Sequence, residues 1–311
     1  MNFAIPESMT EHLAAARQII EERLIPHEAE AMATGGIDTS EVLEEIRSQV
    51  KAAGLWAPQL PKEIGGMGLS VLEHGLMSEV LGWSPLGHFA FGCQAPDAGN
   101  MEILHMFGTE EQKRTYLDPL TRGEIRSCFS MTEPDTAGSN PTLLACRAVR
   151  EGDDYVINGR KWFTTAADGA AFAIVMAVTD PDASRHNRAS QIIVPTSTPG
   201  FNIVRNIPIF GHGGSGWGSH SEISYEDVRV PVSNLLGGEG AGFAIAQERL
   251  GPGRIHHCMR WIGICNRVFD QMCSYAKKRR RTPSQVLADS DVIKTYIADS
   301  AADILSSRLM V

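Results

Sequence analysis

The chain has 311 residues, 43% of them apolar and 21% charged, enough for two or three domains whose cores need neither disulfides nor a structural metal. A formal net charge of −9 argues against a nucleic-acid partner, and the basic run Lys277–Arg281 reads as a solvated helix end or a phosphate contact. No apolar run reaches the roughly 18 residues of a membrane span, the N-terminus has neither a signal core nor an acid-free transit segment, and the six cysteines contain no CxxC pair for zinc; a reduced, cytoplasmic protein is expected.

The first 125 residues read as helical. Ser8 and Glu11 suggest a capping box ahead of Leu13, Ala16, Ile19, Ile20 and Leu24 on one face, with Pro26 kinking or closing the helix. Asp38 with Glu41 opens a second helix carrying Val42, Ile46, Val50 and Ala53, ended by Gly54. The stretch from Pro58 to Leu69 is a Pro/Gly loop, helical patterns resume over Leu69–Trp83 and Met101–Phe107, and Thr109 with Gln112 caps one more helix running to about Gly123.

From Ser127 to Leu236 the period changes. Short apolar runs such as Ala171–Val178 and Gln191–Pro195 are separated by Gly, Pro, Asn and Asp, the pattern of strands and turns. Tyr155–Gly159 reads as a strand entering an Asn-Gly hairpin turn. Beyond Gly242 helical spacing returns, with Ile255, Met259, Ile262, Asn266, Phe269 and Met272 on one stripe of a helix ending near Arg279. A second helix runs from Asp289 onward and carries Val292, Ile293, Tyr296, Ile297 and Ile304. Helices, then strands, then helices make an α+β protein, with domains expected at 1–125, 126–237 and 238–311.

Common chemical signatures are missing. There is no Rossmann or P-loop motif, and the glycine-rich Gly211–Gly218 reads as a flexible loop. Ser130, Ser139 and Ser219 lack a nucleophile elbow. His256 and His257 are adjacent, so they do not share a helix face as metal ligands would; packing and hydrogen bonding are their expected roles.

Four other stretches, in fixed order, carry more. They are Phe129–Ser139 (FSMTEPDTAGS), Asn158–Thr165 (NGRKWFTT), Glu226–Pro231 (EDVRVP) and Leu236–Phe243 (LGGEGAGF). With Pro61–Leu69 (PKEIGGMGL) and the Glu110–Glu124 region, they make nearly the whole chain resemble the acyl-CoA dehydrogenase family. Arg249–Arg260 (RLGPGRIHHCMR) resembles one branch of it.

The resemblance implies an N-terminal helical domain, a middle β domain and the first part of a C-terminal bundle of four long helices. It also implies FAD as hydride acceptor, an acyl-CoA substrate oxidised to the trans-2-enoyl thioester, an electron-transfer flavoprotein as electron partner, and a homodimer or homotetramer. Phe129, Met131 and Thr132 would face the pyrimidine end of the flavin, where donors stabilise charge arriving on the reduced ring. Trp162 and Thr164 would lie beside the ring system, Trp162 excluding water from one face. Ser139 would sit where flavin and thioester meet, and Arg249 near the pantetheine. Without the resemblance, Trp162 reads rather as a core aromatic and Thr132 as a turn residue.

Two positions depart from the family pattern. An Arg-x-x-Phe-Gly motif that contacts FAD pyrophosphate has Pro283 and Ser284 in its Phe and Gly places, leaving Arg280 as the phosphate ligand. The flavin loop carries Asp135-Thr136 where one glycine is usual, and Asn140 for an aspartate. The base that removes the α-proton lies, in most members, in a late segment past the position of Val311. In a minority it precedes an arginine at the start of the long helix, and Glu248 occupies that place; as a plain helix residue it would be a first-turn carboxylate favoured by the helix dipole. A chain ending within the bundle is expected to expose apolar faces along Ile255–Met272 and Val292–Ile304. The rival functions are an oxidase or flavin monooxygenase on the same fold, and a catalytically silent acyl-CoA or flavin-binding relic.

Overall fold

A computed structural model describes residues 3–33, 41–211 and 213–311. Eight strands form one sheet: β1 (Ser127–Ser130), β2 (Arg147–Glu151), β3 (Asp154–Thr165), β4 (Phe172–Val178), β5 (Ala189–Pro195), β6 (Phe201–Asn206), β7 (His220–Pro231) and β8 (Leu235–Leu236). Their order is β6-β7-β3-β2-β4-β5-β8, with β1 added parallel to β4. Every residue of β4 is buried, which is why Phe172–Val178 is continuously apolar and does not alternate.

The helices are α1 (Glu7–Ile19), α2 (Glu28–Ala33), α3 (Glu41–Ala52), α4 (Val71–Leu81), α5 (Gly87–Ala90), α6 (Asp97–Phe107), α7 (Glu110–Gln112), α8 (Asp118–Thr121), α9 (Gly242–Lys278) and α10 (Asp291–Met310). A short hairpin of β9 (Arg280–Thr282) and β10 (Gln285–Val286) follows α9. No helix among the described residues is long and apolar enough to cross a membrane. The α+β architecture is as expected, and the α9 and α10 bounds lie within two residues of those read from sequence.

Contacts divide the chain into two units. A sheet unit holds 29–68 and 91–251; a helical unit holds 1–28, 69–90 and 252–311. The core of the sheet unit is Tyr155, Ile157, Val175, Ala177, Ile192, Val194, Ile223, Tyr225 and their neighbours. In the helical unit Arg267 forms a two-pronged ion pair with Glu28 at 2.7 Å, and Arg308 reaches Glu79 at 2.8 Å.

Local expectations fared unevenly. The expected cap at Thr109 forms a reciprocal box with Gln112, and Ser70, not singled out from sequence, forms another with Glu73. The box at Ser8–Glu11 does not form, because α1 has already begun at Glu7 behind Pro6. The Asp38 cap lies outside the described residues. The Asn-Gly turn is also absent: β3 runs straight through Asn158 and Gly159, and the hairpin turns instead at Gly152, φ +64°. Gly159 serves a different need. A side chain there would stand 2.7 Å from Cys146 Cα, at a register shift between β3 and β7.

The apolar stripe on α9 is a second correction. Met259 and Ile262 are buried and Asn266 donates to Glu79, so α4 and its neighbours cover most of that face. The exposed apolar residues are instead Trp261, Val268 and Tyr275, seven apart, with Ile255 at the rim. On α10 the expected Val292 and Tyr296 are exposed, together with Leu305 and Leu309, while Ile293, Ile297 and Ile304 are half-buried.

Two glycines allow α4 and α9 to approach closely. A Cβ on Gly263 would lie 2.0 Å from the Glu79 carbonyl oxygen, and one on Gly82 would lie 2.2 Å from that of Arg260. Gly263→Ala should therefore cost about 1–3 kcal/mol through overpacking, despite alanine's better helix propensity. A thermal melt at or above the parent's would contradict this.

Candidate active site

Strand β1 ends on the motif that carries the resemblance, and its position is fixed by a buried polar network in the sheet unit. Asp97 accepts from the Ser127 backbone N–H at 2.7 Å and from its hydroxyl at 2.6 Å. Asn100 Nδ2 donates to Ser127 Oγ at 2.9 Å and to the Cys128 carbonyl at 3.2 Å. Burial pushes Asp97 up to about 6, the Ser127 hydrogen bonds opposing the shift.

Arg249, on the first turns of α9, completes the network. Its Nε donates to Asn100 Oδ1 at 3.2 Å, Nη2 donates to the Pro96 carbonyl at 3.4 Å, and the guanidinium lies 4.2 Å from the centre of the Phe129 ring. Burial lowers Arg249 to about 10, with Glu102 and Asp97 pulling the other way. Glu102 is raised to about 7 by burial, against the pull of Arg249. A cation, an aromatic face and a carboxyl group poised near neutrality thus stand together beneath β1.

The loop after β1 is braced from below. Lys161 is completely buried and its Nζ donates to the Met131 carbonyl at 2.8 Å and to Glu133 Oε1 at 2.9 Å. Glu133, also buried, accepts from the Ala145 and Cys146 amides at 2.7 and 2.9 Å. The Trp162 backbone amide donates to the Thr132 carbonyl at 2.9 Å, joining this loop to β3. Phe129 and Met131, both half-buried, pack with Leu144 and Phe243 on Met176, Ala189 and Ala246.

Phe129, Met131, Thr132, Trp162 and Arg249 therefore form one cluster. Thr132 and Trp162 are half-buried and Ser139 is exposed; among the described residues neither the Thr132 nor the Ser139 hydroxyl has a hydrogen-bond partner. Thr164 differs. It is fully buried, and its hydroxyl is held at 3.2 Å by Ser130, itself the acceptor of the Tyr225 hydroxyl at 2.9 Å. Its side chain is a core group, so only its backbone is available beside Trp162. Glu248 is exposed while its neighbour Arg249 turns inward. Arg280 belongs to the helical unit, in the β9–β10 hairpin, where it is exposed and donates to the Pro283 carbonyl at 2.7 Å.

Three family descriptions match consecutive parts of the chain: acyl-CoA dehydrogenase N-terminal domain over residues 6–124, middle domain over 128–228 and C-terminal domain over 240–311. A solved structure from Mycobacterium abscessus, described as an acyl-CoA dehydrogenase, is 39% identical with a TM-score of 0.91, covering 99% of this chain and 79% of that one. The chain belongs to the acyl-CoA dehydrogenase family. The probable acyl-CoA dehydrogenase FadE2 of Mycobacterium tuberculosis is 48% identical over 276 residues, 86% of this chain and 65% of that protein. Acyl-CoA dehydrogenase family member 11 of Gallus gallus is 46% identical over 272 residues, 86% of this chain and 34% of that protein. The chain thus spans less than two thirds of the curated relatives it matches.

Within this acyl-CoA dehydrogenase fold, sequence reasoning missed Asp97, Glu102, Glu133 and Lys161. One signal was available. Lys161 keeps the two-residue phase of Tyr155 and Ile157 along β3, the inward face, and an inward lysine demands a buried carboxylate.

Proposed function

We propose that this chain is the flavin-facing part of an FAD-dependent dehydrogenase that converts acyl-CoA thioesters to trans-2-enoyl-CoA. The observation that carries the reading is the braced loop: among the described residues the Thr132 and Ser139 hydroxyls have no partner, while Lys161 holds the Met131 carbonyl and the Glu133 side chain, and Glu133 the Ala145 and Cys146 amides. Those free hydroxyls and the half-buried Trp162 fit a flavin ring lying against Phe129–Ser139, and FAD bound there would supply the hydride acceptor. Thr132 and the backbone at Met131 would hold the pyrimidine edge, Trp162 and the backbone at Thr164 would shield one face, and Ser139 would stand at its substrate side. Arg280 would serve a pyrophosphate.

Arg249, stacked on Phe129 and tied to Asn100, would orient the thioester end of the substrate. Glu248, exposed beside it, is the candidate for proton removal at Cα. Electrons would leave to an electron-transfer flavoprotein, and the working state would be a homodimer or homotetramer in the cytoplasm, with domains at 1–125, 126–237 and 238–311.

The test mixes purified chain, loaded with FAD, with acyl-CoAs under anaerobic conditions and follows flavin absorbance. Bleaching followed by slow reoxidation in air is expected, whereas fast reoxidation would favour the oxidase. Glu248→Gln should slow bleaching by about 10²–10⁴-fold, the usual contribution of a general base. An unchanged rate removes Glu248 from the mechanism.

A further inference from the structure

A cavity of about 350 Å³ opens within the helical unit, among α1, α4, α9 and α10, which is the size range of small-molecule sites. Its apolar lining is Leu13 of α1, Leu76 and Val80 of α4, and Trp83 just past α4. Its polar lining is Arg17, Glu79, Asn266, Asp270 and Arg308. Every one of these residues belongs to the helical unit.

Most of the charge around the cavity is already matched. Arg17 Nε is held by Glu21, and its guanidinium covers one face of the Trp83 ring. Arg308 Nε donates to both carboxylate oxygens of Glu79, at 2.9 and 2.8 Å. Asn266 Nδ2 donates to Glu79 Oε1 at 3.2 Å, which orients the amide and leaves its oxygen as an acceptor. Among the described residues Asp270 has no hydrogen bond or ion pair, and Asn266 Oδ1 has no donor. Each arginine is neutralised by its glutamate, so the uncompensated charge at the cavity is the exposed Asp270 carboxylate at its rim.

Asn266 and Asp270 stand at i and i+4 on α9, so their oxygens lie on one face of the helix. Two acceptor groups beside an apolar and aromatic wall call for a ligand with N–H donors, positive charge and an apolar body. An anion would meet the Asp270 carboxylate and compete with Glu21 or Glu79 for the arginines. No three His, Cys, Asp or Glu side chains among the described residues stand where they could hold a metal ion, so the fitting cation is organic.

We propose that this cavity binds a small organic ammonium ion with an aryl or branched-alkyl body. Its N–H groups rest on Asp270 and Asn266 Oδ1, and its body packs on Leu13, Leu76, Val80 and Trp83. The site uses no residue of the flavin-facing loop, so it stands or falls apart from the dehydrogenase reading.

The test titrates the full chain at neutral pH with phenethylamine, phenethyl alcohol and hydrocinnamate, which share a phenyl body and differ in charge. The indole N–H resonance of Trp83, assigned with Trp83→Phe, reports binding by NMR. Phenethylamine should shift it saturably and bind about tenfold tighter than phenethyl alcohol, the effect of one hydrogen bond to a charged group. Hydrocinnamate should bind weakest. Asp270→Asn should bring the amine down to the affinity of the alcohol and leave the alcohol unchanged. No saturable shift with the amine, equal affinities for the three probes, or an unaltered amine affinity in Asp270→Asn overturns the proposal. The comparison of probes on the parent chain decides even where the variant fails to fold.

Discussion

Replacing Lys161 with methionine should destabilise the sheet unit by about 3–5 kcal/mol, the usual cost of removing one partner of a buried ion pair. The lysine ammonium holds the Met131 carbonyl and Glu133 at 2.8 and 2.9 Å with no exposure to water. Without it, the Glu133 carboxylate keeps only the Ala145 and Cys146 amides as donors, too little to offset a dry negative charge. Pairing Lys161→Met with Glu133→Gln should recover part of the loss, because the second change removes that charge while leaving an oxygen for one amide. Urea unfolding measures both variants. A loss under about 1 kcal/mol in the single variant would mean the pair is solvated and the loop is not braced by it.

Acid should weaken the helical unit before the sheet unit. Burial lowers His74 to about 4 and His256 to about 3. Both stay neutral in the fold while the unfolded chain takes up protons below about 6.5. Their stabilising effect is therefore complete above pH 6.5 and fades as pH falls toward 4, by on the order of 3 kcal/mol for His74 alone. The sheet unit carries the opposite sign. Asp97 and Glu102 are raised to about 6 and about 7, so their contribution is complete below about 4 and is lost as pH rises through those values. Hydrogen exchange at pH 7 and pH 4.5 should show α4 and α9 losing protection on acidification while β1 and α6 keep theirs. Loss of β1 and α6 first would contradict the assignment of these shifts.

How far the sequence anticipated the structure depended on whether local physics decided each feature. The cap at Thr109 was legible because capping satisfies backbone amides within four residues. The end of β4 against the start of β5 was legible because turn residues interrupt apolar runs. The Asn-Gly turn failed for a tertiary reason: Asn158 lies inside a strand held on both sides by β2 and β7, and Gly159 is needed for contact with Cys146. The α9 stripe failed similarly, since Gly82 and Gly263 let α4 cover it, and nothing within α9 announces its partner.

The same division holds at the site. Phe129, Thr132 and Trp162 were found through their motif and do stand together. Thr164 was found too, but its hydroxyl faces Ser130, a contact between strands 34 residues apart that no local pattern encodes. Asp97, Asn100 and Arg249 meet across about 150 positions of chain, and their partnership is a product of the fold.

The central claim is that the loop Phe129–Ser139, braced by Lys161 and faced by Trp162, receives a flavin. Titration of the purified chain with FAD, followed by flavin absorbance and tryptophan fluorescence, tests it most directly. A saturable spectral shift with tryptophan quenching is expected, together with loss of both in Lys161→Met under conditions where circular dichroism shows that variant still folded. A folded parent chain that stays colourless and gains no thermal stability from added FAD would contradict the account.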